Sequence, residues 1–318
     1  MKKRGAWLVV ARAVFVAAAV VAYGVILRQA TSSDAARVGA AHPWNFVAAV
    51  VAQLLIQCVL FAGWWWLASG LGERFPLANA YRQYAIASAA KYLPVGKVAQ
   101  LASLALYSES KILRVGSPAA YLVLVVSGAV AGVFFIGLGA LSGIESARVG
   151  VFAAWSAAAV VVLVAVPWPR LIVAAGRRLR KYAPLGRHDP LPTLAERKRF
   201  LALVVFQLVF FWLPEGMSGL SIVHAVSPSS GSGDFFFVLT ATALATVAGN
   251  VAVVMPAGIG PRDLALVMLL QTRFPLAEAT MASAGIRLAA LAGEAVFLAP
   301  VVPLLFSGRG RKRKGRAS

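Results

Sequence analysis

Long apolar stretches separated by short polar ones dominate the chain. Apolar runs near or above about 18 residues, the length a helix needs to cross a bilayer, fall at 7–27, 44–69, 118–142, 150–167, 200–224 and 280–306. Two other stretches are apolar but broken. Residues 78–112 divide into two half-length pieces at Pro94-Val95-Gly96, inside KYLPVGKV. Residues 234–254 run unbroken, stop at Pro256-Ala257-Gly258 inside MPAGIGPRD, and resume as a short piece at 262–273. Nowhere does hydrophobicity alternate at the period a transmembrane β-barrel requires. The pattern therefore predicts an all-α polytopic membrane protein.

The breaks repeat. Each half of the chain reads span, span, broken stretch, span. Pro94 lies 50 residues after the second span begins at Trp44, and Pro256 lies 56 after the corresponding span begins at Phe200. The closing span of each half starts 24 residues beyond its proline, at Pro118 and Thr280. If both broken stretches are re-entrant hairpins, six full spans and two hairpins bring both termini to one side. The halves, 1–149 and 150–306, then have opposite orientation, and 307–318 is a basic tail. This is the inverted-repeat arrangement in which broken helices meet at the membrane midplane. Irregular backbone at that depth is tolerated only when buried in protein or lining a watered cavity. The alternative is that both breaks are surface loops between short helices, since 234–254 is long enough to be a full span. Trp44 and Trp64, Trp65 and Trp66 are the expected interfacial anchors of the second span.

Composition sharpens the class. Of 318 residues 60% are apolar and 13% charged, and the mean hydropathy is +0.79. The net charge of +20 invites a nucleic-acid reading, but its placement argues against one. Three of the 31 Lys and Arg fall in the first four residues, nine in 168–199 and six in 309–316. Such clustering in loops on one side is the positive-inside signal, with anionic inner-leaflet lipids as the natural counter-charge. The loop AVSPSSGSG carries no Lys or Arg and is expected outside. The start KKR before an apolar run resembles a signal peptide, but 7–27 exceeds the usual apolar core of one and reads as a retained helix. Cys58 is the single cysteine, and His42, His188 and His224 stand far apart, so no metal spacing and no cofactor is expected. The Ala/Val/Arg-rich composition points to a high-GC bacterium, and counting spans with the basic loop and tail inside puts both termini on the cytoplasmic side of its inner membrane.

Charges in hydrocarbon are costly and are functional candidates by default. Lys91 and Lys97 flank the first break; Arg262 and Asp263 follow the second. Converging hairpins would gather these cations beside helix starts, a setting that suits a phosphate. The lysines would otherwise snorkel to the inner interface. Asp263 serves as counter-ion or as a helix N-terminal charge. Arg287 and Glu294 lie seven residues apart on one face of the last span. Glu215, in FWLPEGMSG behind a kinking proline, either pairs with Arg287 or titrates. Pro94, Gly96, Pro256, Gly258 and Gly260 are the expected break residues. There is no Walker motif and no GxSxG, and the only sizeable polar segment, 168–199, is too short for a catalytic domain.

KYLPVGKVAQLASLALYSES resembles the "ryiPGkvw" element of the lysylphosphatidylglycerol synthase transmembrane, or flippase-like, family. MPAGIGPRDLALVMLL resembles its "PaGiGvREaaL" element, and Arg287 stands at the family's later arginine. The similarity extends over nearly the whole layout. It implies a membrane domain that moves aminoacylated lipid between leaflets, or handles envelope lipids or lipid-linked sugars when it stands alone. Three positions depart from the pattern: Val95 stands where a glycine is usual, Pro261 replaces a small apolar residue, and Asp263 replaces glutamate. No transferase-like stretch accompanies the domain, so lipid aminoacylation is not implied. The resulting expectation is a lipid translocase, not an enzyme. Lys91, Lys97, Arg262 and Arg287 would bind the phosphate of an anionic phospholipid or polyprenyl-phosphate-linked sugar, while Asp263, Glu215 and Glu294 balance or gate them. Two other readings stay open. One is a non-transporting scaffold for an envelope-biosynthesis enzyme. The other is a membrane enzyme on a lipid phosphate, for which Tyr92, Ser103 and Asp263 are the only, poor, candidate groups.

Overall fold

The computed structural model describes residues 42–70, 76–93, 96–108, 111–141, 197–227, 230–251 and 260–301. The spans expected at 7–27 and 150–167, most of the basic loop 168–199 and the basic tail lie outside them. So do Pro94, Pro256 and Gly258.

The described residues form helices without strands: α1 (Pro43–Ser69), α2 (Leu77–Ala90), α3 (Gly96–Leu106), α4 (Lys111–Leu141), α5 (Arg197–Gln207), α6 (Leu213–Val226), α7 (Phe235–Val251), α8 (Pro261–Leu270) and α9 (Leu276–Leu298). A π-turn, Leu208–Trp212, joins α5 to α6 without a break. Among the described residues, five stretches are long and apolar enough to cross a membrane: Pro43–Ser69, Gly116–Gly137, Lys198–Val226, Ser232–Asn250 and Leu276–Leu298. The chain is an all-helical, multi-pass membrane protein.

Two sequence expectations are corrected. Pro118 does not start a helix; it sits inside α4, which begins at Lys111, and lies two residues into the span-length stretch Gly116–Gly137. The last helix begins at Leu276 instead of Thr280. The equal 24-residue offsets are therefore not offsets of helix starts. Proline is tolerated inside a membrane helix because neighbouring groups re-satisfy the freed carbonyl. The tryptophans also divide. Trp44 and Trp66 are exposed, whereas Trp64 is fully buried, donating from Nε1 to the Ser117 carbonyl at 3.0 Å and lying 5.4 Å from the Tyr84 ring. A buried indole needs such a partner, and here it ties α1 to α4.

The short helices return on themselves in pairs. In α2 and α3, Gln83 Nε2 reaches back to the Leu104 carbonyl at 2.6 Å and to Ser108 Oγ at 2.8 Å. In α7 and α8, Arg273 and Asp234 meet at 2.5 Å at one end, while Gly249 lies against Arg262 at the other. Both pairs are antiparallel, and in each the sequence break lies between the two helices.

The π-turn sets the azimuth of the third described span, Lys198–Val226. Gln207 and Trp212 are five residues apart, which an α-helix would rotate to different faces. The wider π-turn stacks them, so Gln207 Nε2 donates to the Leu124 carbonyl at 2.7 Å and Trp212 Nε1 to the Gly128 carbonyl at 3.0 Å, both on α4. Pro214 follows directly, without an N–H to continue the ladder.

With lipid outside, helix association relies on close packing at small residues. On α9, a Cβ at Gly293 would lie 2.8 Å from Gln53 Cβ and 2.9 Å from the Leu54 backbone nitrogen. Backbone cannot yield, so this glycine sets the α1–α9 distance. Gly293→Leu should cost about 1–3 kcal/mol or more by overpacking, read as a lower midpoint of thermal unfolding in detergent. Gly137→Ala, where nothing lies within 4 Å, should leave the midpoint unchanged.

Candidate functional site

The fold brings the charges named from the sequence to one place. Lys91, Lys97, Arg262, Arg287, Glu215 and Glu294 all line a single cavity of about 200 Å³ between the two helix pairs and helices α1, α4, α6 and α9. Each arrives by its own local logic. Lys91 caps the C-terminus of α2, where a cation complements the helix dipole. Tyr92 and Leu93 continue as turn, and Gly96 opens α3 at φ 49°, its N–H donating to the Leu93 carbonyl at 2.8 Å. That left-handed conformation favours glycine. It gives a physical role to the glycine at 96 in a motif whose preceding position carries valine. Lys97 follows immediately and points its ammonium across to Asn250 Oδ1 on α7.

The second break is built similarly. Gly260, at φ 93°, is the N-cap of α8, with Pro261 at the first helical position, where a missing N–H costs nothing. Asp263 Oδ2 accepts the Gly260 N–H at 3.2 Å, and its Oδ1 lies 4.0 Å from Arg287 Nη1. Asp263 therefore serves both expected roles, N-terminal charge and counter-ion, from just behind the cavity wall.

The ion pairs differ from one sequence expectation. Glu215 does not pair with Arg287. Its Oε1 takes Arg262 Nη2 at 2.8 Å and its Oε2 takes Gln53 Nε2, also at 2.8 Å. Arg262 at the start of α8 reaches the first turn of α6, whereas Arg287 on α9 is turned toward Asp263. Glu294 binds Lys91 Nζ at 2.6 Å and the Tyr92 hydroxyl at 2.6 Å. Among the described residues no carboxylate lies within ion-pair distance of Lys97, and Lys91 and Arg262 both repel it. Four cations thus face two carboxylates in the lining, with two positive charges in excess. In partly desolvated surroundings such charges attract an anion far more strongly than in water.

Residues not singled out in the sequence complete the lining: Gln53, Gln100, Gln207, Asn250 and Tyr121. Gln53 bridges Glu215 and Ser218 Oγ, the latter at 3.2 Å, and Tyr121 donates to Gln100 Oε1 at 2.9 Å. Their available signal was an amide inside an apolar run, as with Gln53 and Gln207. Of the groups weighed for catalysis, Tyr92 is engaged with Glu294, Asp263 caps α8, and Ser103 is buried away from the cavity lining. Among the described residues, no group of three or more His, Cys, Asp or Glu is placed to hold a metal ion.

The Arg262–Glu215 pair is deeply set, with Glu215 only 4% exposed. Removing one partner of such a pair strands the other, so Arg262→Met should destabilise by about 3–5 kcal/mol. Arg262→Met combined with Glu215→Gln should recover part of that loss. Thermal unfolding of the two single variants and the double variant measures the coupling.

A family model described as the lysylphosphatidylglycerol synthase TM region matches residues 7–296 of the chain. No curated protein matches it significantly. The match spans nearly the whole length, and the chain belongs to that family.

Proposed function

With that membership as the premise, we propose that the chain is a flippase-like lipid translocase. It moves a phosphate-bearing lipid, an anionic phospholipid or a polyprenyl-phosphate-linked sugar, between leaflets through the basic cavity. The observation that carries this reading is the convergence of Lys91, Lys97, Arg262 and Arg287 on one cavity, with only Glu215 and Glu294 as carboxylates in its lining. A cationic, amide-lined cavity flanked by apolar helices suits a headgroup that must pass while its tails remain in lipid. Lys97 is central, because among the described residues no carboxylate neutralises it and its ammonium is held by the neutral Asn250 amide.

In this reading the α2–α3 and α7–α8 pairs are re-entrant hairpins, one in each half of an inverted repeat with six full spans. Residues 1–149 and 150–306 are the two repeats, and 307–318 forms a cytoplasmic basic tail. The protein resides in a bacterial cytoplasmic membrane with both termini inside, its basic loop and tail held by anionic inner-leaflet lipid. The antiparallel arrangement of both short pairs, each with a Pro-x-Gly sequence between its helices, supports the symmetry; the length of Ser232–Asn250, enough for a full span, is what a topology experiment must resolve. No covalent chemistry is assigned to the chain.

Mass spectrometry of copurifying lipids tests the reading. Wild-type protein should carry a specific phosphate-bearing lipid, enriched over the bulk membrane. That lipid should fall several-fold in Lys97→Gln, which breaks no ion pair among the described residues, and vanish in the Lys91→Ala/Arg262→Ala double variant. Identical, bulk-like profiles in all three proteins would contradict a phosphate site at these residues. They would favour a membrane scaffold for an envelope-biosynthesis enzyme instead.

A further inference from the structure

The two carboxylates that line the cavity are not equivalent. Glu215 has both oxygens engaged, one by Arg262 and one by Gln53. Glu294 has only Oε2 engaged, by Lys91 and Tyr92 together. Its Oε1 is buried and has no hydrogen-bond partner among the described residues. A buried carboxylate oxygen without a donor is costly, and native proteins rarely keep one without a reason. The Lys91 side chain is 23% exposed against 3% for Glu294, so the lysine is the partner with room to leave.

Resting on the reading of the cavity as a headgroup path, we propose that the Lys91–Glu294 pair is an exchange site. It selects phosphate headgroups that also carry an N–H or O–H donor. An arriving phosphate competes with Glu294 for Lys91. If Lys91 leaves, Glu294 keeps the Tyr92 hydroxyl alone, and an ionised carboxylate remains buried with most of its acceptor capacity unmet. That is the penalty of a broken buried pair. The nearby Tyr121 hydroxyl does not step in, since it is committed to Gln100. A headgroup with its own ammonium or hydroxyl removes the penalty: its phosphate takes Lys91 and its donor takes Glu294. The one Lys91–Glu294 contact gives way to two protein–ligand contacts, and neither ionised side chain is left without a partner. A headgroup with phosphate but no donor gains the lysine and strands the glutamate. Glu294 is in this sense a specificity-determining residue, and Glu215, fully satisfied, is not.

Four lipids separate the donor from the charge. Phosphatidylethanolamine and phosphatidylcholine carry the same charges, but only the first has N–H donors. Phosphatidylglycerol and phosphatidylmethanol share one negative charge, but only the first has hydroxyls. Short-chain forms of each, added to the purified full chain in detergent, are read as bound fraction by native mass spectrometry. Wild type should prefer the donor-bearing member of at least one pair by about tenfold, the worth of one charge-assisted hydrogen bond. Preference in the first pair identifies an ammonium as the source, and preference in the second a hydroxyl. In Glu294→Gln the preference should shrink to within about twofold while lipid binding persists. Equal binding within both pairs of wild type, or a preference unchanged in Glu294→Gln, would overturn the exchange. Should Glu294→Gln fail to fold, the wild-type comparison decides alone. Failure of wild type to retain any phosphate lipid is a different result: it defeats the headgroup-path reading itself, and the exchange with it.

Discussion

Charge in a low-dielectric surround must be paired or watered, and this structure is organised around that constraint. An ionised side chain at membrane depth costs about 2.5–3.5 kcal/mol even on lenient scales. Six charged groups, from two helix turns and from α6, α8 and α9, line one cavity among apolar helices. Pairing reduces the cost for five of them. Arg262 holds Glu215, Lys91 holds Glu294, and Arg287 lies toward Asp263. Helix positions follow from these meetings. The π-turn before Pro214 turns Gln207 and Trp212 onto α4, and Gly293 lets α9 approach α1 closely enough for Gln53 to stand beside both. The remaining cation, Lys97, is held by a neutral amide.

The breaks in the two short helix pairs serve the same end. A continuous helix would carry Lys91 and Lys97, six residues apart, on through the bilayer with their ammonium groups facing different surroundings. The turn at Gly96 instead folds the chain back so that both lysines face one space. Gly260 does likewise for α8, setting Arg262 in the first turn, two residues past the cap, and fixing Asp263 against the backbone it neutralises. Backbone conformation and charge placement are thus one feature. The left-handed glycine exists where the cation beside it has to point inward.

Much of this was legible in the sequence, and the illegible parts share a cause. Lys91, Lys97, Arg262, Arg287, Glu215 and Glu294 stood out because charge inside apolar runs is expensive and rare. The broken stretches stood out because Pro and Gly interrupt helical periodicity. The membrane class followed from run length, and the family from the two motifs around the breaks. Partner choice was not legible. Whether Glu215 meets Arg262 or Arg287 depends on the azimuth of α6, which a single inserted π-turn alters. Pro118 looked like a helix start because a proline in an aqueous helix is one, whereas within α4 it is accommodated. Trp64 looked like an interfacial anchor because it adjoins Trp66, and burial against Tyr84 and Ser117 is a property of tertiary packing. The amides Gln53, Gln100 and Asn250 carry no charge and gave a weaker signal, although they complete the cavity and satisfy its ions.

The measurement closest to the central claim is lipid movement itself. Purified protein is reconstituted into vesicles with a trace of tail-labelled fluorescent phospholipid, and an impermeant quencher is added outside. Translocation through the cavity predicts that wild-type protein exposes the inner-leaflet pool to the quencher, while Lys97→Gln, folded and equally incorporated, does so several-fold more slowly. Equal protection of the inner pool in wild-type, Lys97→Gln and protein-free vesicles would contradict it.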